Sequence, residues 1–188
     1  FLGLLLTHHH PDHMGAVSEC QRRYGLPVFS HRRTAEQLPE IEFSGFLEHG
    51  QSLDLGLAPD RKPGWKLDVY HLPGHAPGHL VFKETRYRSV LAGDLISTLS
   101  PILIDPSDGD LAEYMNSLEF LHSITEAFVY PAHGAPALEG RKAIRQTIRH
   151  RQEREARLLE ILRMGAQTAA VLLQQIYQDV PKELHPLA

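Results

Sequence analysis

Short apolar runs and helically spaced apolar positions alternate along most of the chain, and a long charged stretch then follows. The opening run "FLGLLL" is too short for a helix and reads as a buried strand. Beyond a cluster of histidines, Met14, Val17, Cys20 and Tyr24 recur at helical spacing, with Gly25 as the stop. "LPVFSH" then predicts a second strand. Residues 34–64 are mixed, with a weak helix around Ala35–Leu38 and a Pro/Gly-rich loop from Ala58 to Gly64. Three strands follow, "WKLDVYHL", "HLVFKE" and "YRSVLAGD", and "PILID" predicts another short one. Asp110 stands where a helix N-cap belongs, ahead of an apolar face of Leu111, Tyr114, Met115, Leu118 and Leu121. "AFVYPAHG" is the last strand and ends in a His-Gly turn. Glu139 to Arg163 predicts a long charged helix or helix pair, broken at Gly165, with Thr168 capping a further helix through Tyr177.

Composition narrows this picture only a little. The chain has 188 residues, 42% of them hydrophobic, and a formal net charge of −4, which suits one domain with a small appendage. A single cysteine, Cys20, rules out an internal disulfide and a Cys-rich zinc site, and its place on an apolar helix face makes it a core thiol. Mild acidity gives no support at the level of the whole chain for a nucleic-acid or anionic-membrane partner. No apolar run reaches the length of a membrane span, so no membrane partner is expected. Lacking an initiating Met and opening in a strand, the chain reads as a fragment of an intracellular protein of the cytoplasm or mitochondrial matrix.

Histidine density changes the picture more. Residues 8–13 hold four histidines and an aspartate, directly behind the first strand. Imidazole at this density does not belong in a buried core, because each ring needs partners for two nitrogens. His8 and His10 are two apart, so in extended backbone they project to one side and can share an ion, while Asp12 and His13 lie past the turn and can serve a second. His75 in "LPGHAPGH", Asp94 in "LAGDL" and His133 in "YPAHGAP" also fall at predicted strand ends. A pair of zinc ions about 3.5–4 Å apart needs a bridging group, and Asp94 is the best candidate. His9 is expected to face away from its neighbours and His79 to lie outside the ligand set. His71 reads as a strand residue, and His31, His49, His122, His150 and His185 as surface or capping residues.

Together, H-x-H-x-D-H, the lone His of P-G-H, the G-D and the final His-Gly resemble the metallo-β-lactamase superfamily of dinuclear zinc hydrolases. The resemblance implies His8, His10 and His75 on one zinc, Asp12, His13 and His133 on a second, and Asp94 between them. "DPSDGDLAEYMNSLEFL", "VYPAHGAPALEG" and the tail from "HRQEREARLLEIL" onward look like the beta-lactamase-like protein 2 subgroup. That likeness implies a four-layer αββα sandwich over residues 1–138, lacking its N-terminal strands. A linker helix and a truncated winged-helix-like piece would occupy 139–188. Leu72 and Ala76 replace threonines often found around the central P-G-H, which bears on the hydrogen bonding of His75.

The chemistry implied is hydrolysis by a metal-bridging hydroxide, since zinc lowers the pKa of bound water from about 15.7 towards about 7. Asp12 would hold the second zinc and accept the proton of the attacking water. No G-x-S-x-G elbow offers a competing serine nucleophile. The subgroup resemblance implies an endoribonuclease on single-stranded RNA, ranked narrowly ahead of a small thioester or lactone, with β-lactams last. In support of RNA, Arg141, Arg145 and Arg149 share a helical face, and Glu139–Arg163 holds eight Lys or Arg against four Glu. A non-catalytic metal-binding or nucleic-acid-binding module would predict a lost ligand, and none is missing.

Overall fold

The structure is a computed structural model and describes residues 3–165 and 168–176. The chain divides into two compact units, residues 1–144 and 145–188. In the first, β1 (Leu4–Leu5), β2 (Val28–Ser30) and β3 (Gly45–Phe46) form a parallel three-stranded sheet. A five-stranded sheet runs in the order β4 (Ser52–Asp54), β5 (Lys66–His71), β6 (Leu80–Glu84), β7 (Ser89–Ser97), β8 (Phe128–His133). Its pairs are antiparallel except β7 with β8, which are parallel. Helices α1 (Pro11–Met14), α2 (Val17–Tyr24), α3 (Arg32–Glu36) and α4 (Leu111–Ile124) connect the strands.

Alternation along β1 and β2 sets the layers. Leu4, Leu6 and Val28 pack with Val17, Leu38 and Ile41 on the side of α2 and α3. Leu5 and Phe29 point the opposite way and join Leu67, Val69, Leu80 and Phe82 of the second sheet. Period-two side-chain placement thus gives a thin sheet two apolar faces, one against helices and one against the other sheet. The far side of the larger sheet carries α4, whose Tyr114 hydroxyl donates to the Leu95 carbonyl at 2.8 Å. The order is helix, sheet, sheet, helix.

Most predicted elements are present, with local differences. Asp110 caps α4, its side chain accepting from the Glu113 N–H. Gly25 ends α2 in the left-handed conformation, φ 61°. "PILID" forms no strand. Both edges of β7 are already taken, by β6 and β8, and Pro101 has no N–H to donate. β3 and β4 carried no sequence signal because they are two and three residues long.

In the second unit, the part of α5 (Gly140–Arg163) beyond Ile144 is followed by α6 (Ala169–Ile176). The Val171 N–H donates to Thr168 Oγ1, the expected cap. The expected helix end at Tyr177 and the segment "VPKELHPLA" lie outside the described residues.

Two glycines hold the larger sheet to its loops. Gly74 has φ 121°, and a Cβ there would lie 2.1 Å from the Tyr114 backbone nitrogen. At Gly93, φ 52°, a Cβ would meet His79 Nε2 at 2.6 Å, where the β7–β8 register shifts. By contrast, Gly25 has nothing within 4 Å of a built Cβ. Gly74→Ala should therefore cost about 3 kcal/mol or more through backbone clash and strain, and Gly25→Ala about 1 kcal/mol through strain alone. Urea unfolding of both variants measures the difference, and equal costs would contradict the close approach of α4 to the Gly74 turn.

Candidate metal centre

Four segments of the first unit deliver the predicted side chains to one end of the sheets. The stretch after β1 carries His8 and His10. Pro11 then starts α1, where fixed φ suits the first helical position, and this turn brings round Asp12 and His13. The β5–β6 loop supplies His75, β7 supplies Asp94, and β8 ends on His133.

These residues converge as two trios. His10 Nδ1 lies 3.0 Å from His8 Nε2 and 2.9 Å from His75 Nε2. Asp12 Oδ2 lies 3.5 Å from His13 Nε2 and 3.2 Å from His133 Nε2. Asp94 stands between them. Its Oδ1 is 3.3 Å from His13 Nε2, and its Oδ2 is 3.5 Å from His75 Nε2 and 3.4 Å from His133 Nε2.

The outward ring nitrogens are also engaged. His75 Nδ1–H donates to the Leu103 carbonyl at 2.9 Å, and His10 Nε2–H donates to Asp108 at 2.9 Å. His8 Nδ1 is 3.0 Å from Thr7 Oγ1. A carbonyl and a carboxylate can only accept, so His10 and His75 each carry a proton on the outward nitrogen and turn a lone pair inward. Facing lone pairs at this range repel unless a cation lies between them. Tetrahedral zinc with Zn–N of about 2.0–2.1 Å sets its ligand nitrogens about 3.3–3.4 Å apart, close to the spacing found.

Unmet hydrogen-bonding capacity points the same way. His13 Nε2 and Asp94 Oδ1 are buried, face each other in poor hydrogen-bond geometry, and have no hydrogen-bond partner among the described residues. Buried polar atoms are seldom left in that condition. The donor set therefore fits a pair of divalent ions. It consists of imidazole and carboxylate alone, which zinc and iron both accept.

Burial sets the electrostatics. It holds His8 far below the ordinary imidazole value, with His79 and His13 pushing the same way, and it lowers His75. At His13 burial opposes the charged form, but Asp94 and Asp12 outweigh it and raise the ring's pKa. Burial also opposes the Asp94 carboxylate, but contact with His13 outweighs it and the pKa stays low. Burial thus disfavours charge on His8 and His75, while His13 and Asp94 favour each other's charged forms.

Residues beyond the sequence motifs take part. His79, read from sequence as an outer residue, is fully buried, and its Nε2 accepts the Asp94 N–H at 3.0 Å. His9, expected to face away from the ligands in an outer or structural place, has its Nε2 3.3 Å from Asp108 Oδ2, the oxygen on the outward side of His10. Leu103 sits in the segment misread as a strand and Asp108 three residues beyond it, where only the return of the β7–α4 connection to the strand ends could have flagged them. Leu72 and Ala76 are buried, and the Leu103 carbonyl provides the His75 hydrogen bond. His31 caps α3, accepting from the Arg33 N–H, and stacks on His71 at 3.8 Å.

Comparison with known proteins places this geometry. A sequence profile described as the metallo-beta-lactamase superfamily matches residues 2–133. A hydroxyacylglutathione hydrolase of Bdellovibrio bacteriovorus is 32% identical over 93 residues, covering 50% of this chain and 34% of its own. A beta-lactamase-like protein 2 homolog of Drosophila melanogaster is 29% identical over 197 residues, covering 98% and 63%. The chain thus spans between about a third and two thirds of these curated relatives. A metallo-beta-lactamase family protein of Thermus thermophilus superposes with a TM-score of 0.74 at 24% identity, covering 92% and 67%, a likeness of fold. A protein solved in a di-iron-bound form superposes at 0.62 with 30% identity, covering 76% and 74%.

The buried His79 yields a pH dependence. Burial, then nearby His75, pushes its pKa down to about 3, so below an ordinary value of about 6.5 the unfolded chain binds a proton that the folded chain refuses. Stability should be complete above that pH and fall as pH drops towards 3, at roughly 1.4 kcal/mol per pH unit for this ring. Urea midpoints of the metal-free protein between pH 7.5 and 5 measure it, and a flat profile would contradict a neutral buried His79.

Proposed function

The chain belongs to the metallo-beta-lactamase superfamily, and from that membership we propose that it is a dinuclear zinc hydrolase of small thioesters or lactones. One observation carries the catalytic reading: two trios of ligand-type atoms, with Asp94 reaching into both. In this reading His8, His10 and His75 hold one ion, and Asp12, His13 and His133 hold the other. A bound metal pair supplies Lewis acidity, making water acidic enough to attack at neutral pH and polarising the bond to be cleaved.

The chain's own residues divide the remaining work. Buried His8 closes the floor of the site against solvent, and Asp94 joins the trios while His79 holds its backbone. Asp12 lies at the mouth with its side chain 58% exposed, and its Oδ2 stays against His13 and His133. It can therefore take the proton of an attacking water and release it to solvent. His133, 39% exposed, borders the same opening, where the leaving group would depart.

The relatives named as hydroxyacylglutathione hydrolases support the thioester class. The likeness to a di-iron protein makes iron the competing metal. A second reading, cleavage of single-stranded RNA, rests on the arginine face of α5, of which Arg149 is engaged with Glu153 at 3.4 Å. We also carry the division at residue 138 and the winged-helix-like character of 139–188 as part of this proposal, on the sequence resemblance to the beta-lactamase-like protein 2 group.

Full-length protein should carry two zinc equivalents by elemental analysis and hydrolyse a glutathione thioester or a lactone in parallel assays with RNA. Iron as the bound metal, or activity on RNA alone, would overturn the corresponding part. Asp12→Ala should lower turnover at least about 100-fold, because proton acceptor and ligand are lost together. Were RNA the substrate, changing Arg141, Arg145 and Arg149 to Gln would flatten the log–log salt dependence of binding by about two units, at roughly 0.7 per phosphate contact. Hydrolysis of a small ester would not respond to that triple change.

A further inference from the structure

Asp108 belongs to none of the ligand motifs, yet its carboxylate meets two rings of the histidine cluster. Its Oδ2 accepts from His10 Nε2–H at 2.9 Å and lies 3.3 Å from His9 Nε2. His10 differs from the other members of its trio, because it faces them with Nδ1, whereas His8 and His75 use Nε2. Neutral imidazole has two tautomers, and only the one protonated at Nε2 leaves Nδ1 able to bind a cation. A carboxylate on Nε2 selects that tautomer, fixes the ring plane and makes Nδ1 a stronger donor.

The surrounding loop holds the carboxylate in place. The Asp108 and Gly109 N–H groups donate to the Asp105 carbonyl at 3.1 and 2.6 Å. Next, the Asp110 N–H donates to the Gly74 carbonyl at 2.9 Å, one residue before His75. Asp110 also caps α4. Asp108 is thus two residues from a clamp that ties its loop to the His75 turn. Earlier in the same loop, the Leu103 carbonyl fixes the tautomer of His75.

We propose that Asp108 is a positioning residue that locks His10 in the Nε2–H tautomer and so sets the affinity of the His8–His10–His75 site for its ion. This rests on the assignment of that trio as a metal site. The carboxylate acts through His10 and makes no contact with substrate or metal. His9 lies against the same oxygen and limits its movement.

Two readouts on the full-length protein and its Asp108→Ala and Asp108→Asn variants test this. Long-range proton–nitrogen correlation spectra of the metal-free proteins report the His10 tautomer directly. Wild type should show Nε2–H alone. Asp108→Asn should retain it, because the amide oxygen still accepts, and Asp108→Ala should shift towards Nδ1–H. Zinc affinity by chelator competition should fall about 10–100-fold in Asp108→Ala and less in Asp108→Asn.

An unchanged tautomer in Asp108→Ala, or zinc affinity within threefold of wild type, would overturn the proposal. So would loss of a third zinc equivalent with the other two unaffected, since His9, His10 and Asp108 would then be a site of their own. Failure of the wild type to bind zinc tightly would instead defeat the assignment of the trio. The tautomer spectra need no metal, so the two failures are separable.

Discussion

Facing imidazole lone pairs, held at about 3 Å inside a protein, are the constraint around which this molecule is arranged. Such a cluster is unfavourable alone, because burial strips the rings of water and packs like against like. It persists because each outward nitrogen is tied to something rigid. Thr7 lies two residues past the first strand with its carbonyl bonded to the Leu80 N–H, Leu103 and Asp108 lie in the loop between β7 and α4, and His79 accepts from the backbone N–H of Asp94. The sandwich acts as a frame that resists the mutual repulsion of its own side chains.

That demand explains why the layers meet as they do. Just past the short β1, Thr7 comes against Gly93 of β7, and the alternation of Leu4, Leu5 and Leu6 locks one sheet between helices and the other sheet. Tyr114 and Ser117 of α4 donate to the carbonyls of Leu95 and Pro73, which flank Asp94 and His75 in the chain. Packing and site geometry are therefore not separable here. A helix that drifted by an ångström would carry a ligand loop with it.

Sequence spacing made much of this legible. His8, His10, Asp12 and His13 could be read as a group because strand-end geometry is local, and His75, Asp94 and His133 because Gly or Pro beside them marks a sharp turn. Asp110 could be read as a cap for the same reason. The supporting groups could not. Asp108 is one of several acidic residues in a polar loop, and nothing in its neighbours says that the loop returns to His10 across 98 positions. Leu103 contributes a backbone carbonyl, which has no sequence identity at all. "PILID" misled because an apolar pattern can serve a loop that lines a site as well as a strand.

The clamp at Gly74 divides the β7–α4 connection into two parts with different freedom to change. From Asp105 onward the loop is folded on itself and clamped, with the Asp108 and Gly109 N–H groups on the Asp105 carbonyl and the Asp110 N–H on Gly74, and Gly109 has the Gly74 carbonyl 2.6 Å from where a Cβ would stand. Leu99 and Leu103, in contrast, extend their side chains into solvent. Descendants of this chain could lengthen or recolour the stretch around Leu99 and Ser100, ahead of the Leu103 carbonyl that holds His75, and so alter what approaches the histidines while the ligand-supporting part stays fixed. The fold thus keeps a tunable rim next to an invariant frame within one loop, an arrangement that lets a lineage change its diet without rebuilding its chemistry.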